Sequence, residues 1–146
     1  MKLQLSIVCI ITALLILAGC NKYEDGPLIS LKSPEKRIVG EYIVESYIIN
    51  DQLIPLSDIG ISEYRIVYNK DGSGKTTITS NNYPNESDFE WELDEKKENI
   101  RERYKGQNNE WSVWSNYKQI LKLTKNEFWF TDNNEQEPTE FHLIKQ

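Results

Sequence analysis

The stretch YNKDGSGKTTITS, residues 68–80, decides the fold, because GSGKTT within it has the form of a phosphate-binding loop. Such a loop needs G-x-x-x-x-G-K-[ST] between a buried strand and a helix, so that backbone N–H groups and the helix N-terminus hold the phosphates together. Gly74, Lys75 and Thr76 supply the second half, but Asn69 stands where the first glycine belongs. The KTTITS that follows holds three threonines and an isoleucine, β-branched residues that favour a strand, with no helical apolar repeat. Upstream, EYRIVYN alternates Tyr64, Ile66 and Tyr68 with Glu63, Arg65 and Val67, the period of a strand. Two strands around Asp71-Gly72-Ser73-Gly74 predict a β-hairpin whose glycines take positive φ.

Working outward, the same alternation recurs in eight segments. RIVGEYIVESYIIN puts Tyr42, Val44, Ser46 and Ile48 on one face and Ile43, Glu45, Tyr47 and Ile49 on the other. The two hairpin strands follow. In SDFEWEL, Phe89, Trp91 and Leu93 alternate with Asp88, Glu90 and Glu92; after a solvated turn at Asp94 to Glu98, Ile100, Glu102 and Tyr104 alternate with Arg101 and Arg103. YKQILKLT, EFWFTD and TEFHLIK complete the set. DQLIPLSDIG is broken by Pro55 and Gly60 and reads as a loop with one short extended piece, and Ser33-Pro34-Glu35-Lys36 opens a single helical turn. Strands joined mostly by short turns, without strand–helix alternation, predict an all-β fold: a small eight-stranded antiparallel up-and-down barrel or curled meander.

The N-terminus adds a second layer. MKLQLSIVCIITALLILAGC has one lysine, an apolar run interrupted only by Ser6 and Thr12, and small residues ending in Cys20, which is the plan of a secretory signal peptide. Leu17-Ala18-Gly19-Cys20 resembles the bacterial lipobox at all four positions. The resemblance implies diacylglycerol on the Cys20 thiol, with palmitate-type acyl chains, and cleavage before it. Two or three chains anchor far better than one, at roughly 0.8 kcal/mol per buried CH₂. Cys9 then leaves with residues 1–19 and Cys20 is consumed, so no thiol remains for a disulfide, a nucleophile or a metal. Residues 20–35 read as a lipidated tether, polar and broken by Gly26, Pro27 and Pro34, and residues 36–146 as one domain. Asn21, not aspartate, follows the cysteine, which by the same resemblance favours the outer membrane; Lys22-Tyr23-Glu24-Asp25 leaves both its periplasmic and its surface-exposed face open.

Gly40-Glu41-Tyr42, the Lys70 to Gly74 hairpin, Phe89-Glu90-Trp91 entering an acidic turn, the Leu121 to Phe130 hairpin and the closing Phe141-His142-Leu143 together resemble the lipocalin-like domains of small bacterial lipoproteins. That resemblance implies a barrel whose interior binds a small apolar or amphipathic molecule. An eight-stranded barrel is just wide enough to be filled by its own side chains or to hold one small ligand, so a filled barrel and a cup both stand.

Chemistry is sparse. The net charge of −6 disfavours nucleic acid as a partner. His142 is the only histidine, faces away from Phe141 and Leu143, and has no G-x-S-x-G elbow to serve. Glu90 and Glu92 share one strand face rather than converging across a cleft, and Asp132-Asn133-Asn134-Glu135 lacks the calcium-loop spacing. No cofactor or metal and no enzymatic activity are expected. Trp111, Trp114 and Tyr117 recur every third residue, the aromatic density of a barrel rim or its plug. The expected lining is therefore Phe89, Trp91, Leu93, Trp111 and Trp114. The competing expectation is a filled barrel serving as a non-catalytic accessory protein of an envelope complex.

Overall fold

The computed structural model of the chain describes Tyr23, residues 32–132 and residues 138–146. Cys20, the expected signal peptide, most of the tether and Asn133 to Glu135 lie outside the described residues. A short helix, α1 (Pro34–Ile38), precedes β1 (Gly40–Ile49) and β2 (Gln52–Pro55), and a 3-10 turn (Leu56–Ile59) leads into β3 (Ile61–Tyr68). Then come β4 (Ser73–Ser80), β5 (Tyr83–Leu93), β6 (Asn99–Tyr104), β7 (Lys118–Leu123), β8 (Glu127–Asp132) and β9 (Thr139–Lys145). Every pairing is antiparallel, and β9 returns to pair with β1, so β1 and β3 to β9 close an eight-stranded barrel. The short extended piece in residues 51–60 is β2, which pairs with the second half of β1 beyond the reach of β3.

Local chemistry sets the turns. Asn50-Asp51 and Asn81-Asn82 both take positive φ, the signature of two-residue hairpin turns, and asparagine and aspartate tolerate that region best after glycine. The Asn81-Asn82 turn starts β5 at Tyr83, four residues earlier than the alternation of SDFEWEL suggests. Pro84 is accommodated because β6 pairs only with Phe89 to Leu93, leaving the near half of that edge unpaired.

Two further expectations need correction. Only Gly72 of the first hairpin has positive φ; the turn is Asn69 to Gly72, and Gly74 already lies within β4. Along β1, the register slips between Val44 and Ser46, and the slip moves Tyr47 opposite Phe141. The unbroken face of Tyr42, Val44, Ser46 and Ile48 is thereby interrupted, because one extra residue exchanges inward for outward positions.

The barrel has two unlike ends. At one, α1 and the turns after β3, β5 and β7 close over a dense core. Tyr68 sits at its centre, edge-on to Tyr42, Phe89, Trp91 and Phe128 at 5.2–6.0 Å between ring centroids. Ile38, Val44, Ile100, Leu123 and Leu143 are fully buried around it. Tyr23 belongs here too: it is buried, and its hydroxyl donates to the Lys97 carbonyl at 2.9 Å. The segment expected to be a tether thus contributes a core residue. The other end, formed by the turns after β1 and β4 and by residues 105–117, is the mouth.

Candidate functional site

The β5–β6 register sets Glu102 opposite Trp91, and the alternation of β6 sends Ile100, Glu102 and Tyr104 into the barrel. The carboxylate is 3% exposed. Tyr68 donates to its Oε1 at 2.8 Å, Tyr104 to Oε2 at 3.2 Å, and the Lys118 ammonium to Oε2 at 3.0 Å. Lys118 enters from the start of β7, opposite Ile100, and its Nζ lies 5.3 Å from the Phe130 ring centroid and 5.7 Å from that of Phe141. Toward the mouth, half-buried Tyr47 packs edge-on to Tyr64 and to Phe141, at 6.2 and 5.1 Å.

Burial raises the Tyr47 phenol to about 12. Burial, then the charge of Glu102 among other neighbours, raises Tyr68 and Tyr104 further, and burial with Tyr47 and Glu102 nearby raises Tyr64. All four phenols are therefore held neutral, and two of them, Tyr68 and Tyr104, donate to the one carboxylate. A buried ion pair costs several kcal/mol of desolvation per ion, and apolar residues of similar volume usually fold as well or better. A buried pair inside an aromatic barrel is an arrangement compatible with ligand binding.

The expected lining residues do not come together. Phe89 and Trp91 are buried and Leu93 packs against the same core, all on the closed side. The Trp91 indole donates to the Asn69 and Ser73 carbonyls at 3.2 and 3.1 Å, fixing it to the β3–β4 turn. Trp111 and Trp114 sit on the outer face. There Trp111, Arg103, Trp114, Arg101 and Tyr117 form a ladder with guanidinium-to-ring distances of 4.7–5.4 Å. Arg101 and Arg103 also pair with Glu92 and Glu90, so the two carboxylates on one strand face are engaged.

That ladder seals an edge. β7 pairs with β6 only at Asn99 and Ile100, and the rest of the β6 edge is taken by residues 111–115. Ser112 and Ser115 donate their N–H groups to the Tyr104 and Glu102 carbonyls, while their hydroxyls accept from the Tyr104 and Glu102 N–H groups. The backbone of Glu102 is thus locked from outside the wall while its carboxylate is locked from within.

The composition of β6 carried the missed signal: a glutamate between Ile100 and Tyr104, on the inward face. Lys118, at a strand start after a loop, gave no such cue. His142 does lie outside, stacked on Trp129 at 3.9 Å and 3.2 Å from Glu140. Among the described residues no three His, Cys, Asp or Glu side chains converge as a metal site would require. No protein-family model, curated protein or solved structure matches the chain.

Proposed function

We propose that this protein is a lipid-anchored lipoprotein of the bacterial outer membrane whose lipocalin-like barrel takes a small amphipathic molecule through its mouth. The observation that carries the binding role is the Glu102–Lys118 pair, buried inside the barrel with the Tyr68 and Tyr104 phenols donating to its carboxylate. The pair is neutral as a unit, so it suits a ligand with an apolar or aromatic body and an uncharged or zwitterionic hydrogen-bonding group. We read the barrel as a binding module and not an enzyme, because Tyr68, Tyr104 and Lys118 already hold the carboxylate in place. The filled closed half supports a smaller ligand than a cup running the length of the barrel would accept.

Anchoring rests on Leu17-Ala18-Gly19-Cys20. Metabolic labelling with a fatty acid should mark the wild type and not Cys20→Ala; persistent labelling of the variant would refute the anchor. For binding, the barrel is titrated with a panel of fluorescent amphiphiles bearing cationic, anionic and neutral heads. Saturable binding that Lys118→Met weakens at least roughly tenfold, about 1.4 kcal/mol, supports the reading. No saturable binding by any member rejects it and leaves the filled-barrel partner role.

A further inference from the structure

The closed end of the barrel carries a separate concavity of about 810 Å³, bounded by Lys32, Lys36, Arg37, Lys125 and Lys145 with no acidic side chain in its lining. Five of the 17 lysines and arginines of a chain with net charge −6 are gathered there. Elsewhere, Arg65, Lys75, Lys97, Arg101, Arg103, Lys118 and Lys122 each face a carboxylate. Lys36, Arg37, Lys125 and Lys145 make no such pair among the described residues. Lys145 donates instead to the Val39 and Arg37 carbonyls, Arg37 donates through one Nη to the Leu123 carbonyl, and its buried Nε has no partner.

The position of Tyr23 says what this surface faces. Its ring lies 5.5 Å from the Arg37 guanidinium, on the same end of the barrel. Cys20 precedes Tyr23 by three residues, a reach of at most roughly 11 Å even when extended. A lipid on Cys20 therefore brings the closed end, not the mouth, to the bilayer. The turns after β3 and β5 at that end mix both signs, Lys70 with Asp71 and Lys97 with Asp94 and Glu95, whereas the lining of the cleft has cations without acidic side chains.

We propose that the basic cleft is a docking surface for anionic phospholipid headgroups, seating the barrel closed end down and tilted toward Lys36 and Lys125, with the mouth turned to solvent. The inference rests on the lipoprotein reading. One lipid anchor fixes a point but no orientation, whereas an anchor and a basic patch together do. Each cation at an anionic surface contributes roughly a fivefold preference.

The test uses the full chain, processed and lipidated, in vesicles. With Cys20 blocked by lipid, Asn126→Cys at the cleft and Leu53→Cys near the mouth each offer one thiol for a fluorophore, quenched by a headgroup-borne acceptor. On phosphatidylglycerol vesicles the residue 126 label should be quenched several-fold more than the residue 53 label. Phosphatidylcholine vesicles, or Lys36→Glu with Lys125→Glu, should lower the quenching at residue 126 several-fold, to the level that the anchor alone gives; both lysines are exposed, so the fold is preserved. Equal quenching at the two sites, or quenching at residue 126 that the charge reversals leave unchanged, overturns the docking surface. Intact mass separates the two claims: a chain without acyl groups on Cys20 overturns the lipoprotein reading and the orientation with it.

Discussion

The Phe89 ring lies against the backbone of Gly74, so close that a Cβ at residue 74 would fall 2.2 Å from the ring Cζ. The glycine that gives residues 68–80 the look of a phosphate loop is there for space. It lets β4 run beneath a ring that, with Tyr68, fills the closed half of the barrel. Lys75 points outward to Glu86 at 2.8 Å, with both side chains about half exposed.

Gly74→Ala should therefore destabilise the protein by about 1–3 kcal/mol, the usual cost of overpacking a core. The measurement is the denaturant midpoint, with the slope unchanged. Lys75→Ala should stay within about 0.5 kcal/mol, since exposed ion pairs contribute little. The reverse ranking would mean that Lys75, not Gly74, is the residue that matters in the loop.

Glu102→Gln and Lys118→Met should each destabilise by about 3–5 kcal/mol, because each leaves one buried charge uncompensated. The double variant should recover most of that loss, as buried pairs replaced together commonly do. Ligand binding should remain lost in the double variant. Recovery of both stability and binding would reduce the pair to packing.

Alkali should unfold the barrel. Burial raises Tyr23, then modulated by neighbouring charges, and Tyr47 from 10.0 to about 12, and Tyr42, Tyr64, Tyr68 and Tyr104 beyond that. A raised folded-state pKa means that the contribution is complete below pH 10 and is lost as pH climbs through about 12. An ultraviolet titration should show tyrosinate from the buried residues appearing together with loss of tertiary signal. Reversible, independent titration of all eight tyrosines near 10 would contradict the core described here.

Ser115→Ala removes the hydroxyl that accepts from the Glu102 N–H and should cost about 1 kcal/mol. Trp114→Ala, which strips the middle of the ladder, should speed amide exchange at Ser112 and Ser115 while leaving ligand affinity unchanged. A large loss of binding in Trp114→Ala would restore this residue to the ligand site.

The strand pattern was legible because a barrel with one wet face writes its period into residues such as Phe89, Trp91 and Leu93. The β1 slip at Val44 to Ser46 was not, since a bulge changes pairing without changing composition. The placement of Trp111 and Trp114 against Arg101 and Arg103 was not legible for a related reason. Aromatic density is visible in a sequence, but whether a ring faces a ligand or an arginine depends on which edge its loop covers. Glu102 was half legible, as an acid on an apolar face, whereas Lys118 becomes its partner only once β7 is in register with β6.

The most direct test of a mouth site built on Glu102 and Lys118 is nuclear magnetic resonance mapping with the tightest-binding amphiphile of the panel. Saturable shifts confined to Tyr47, Tyr64, Tyr104, Lys118 and Phe141, absent at Trp111 and Trp114, are the predicted result. Shifts on the outer ladder with a silent mouth, or none anywhere at saturating ligand, would contradict it.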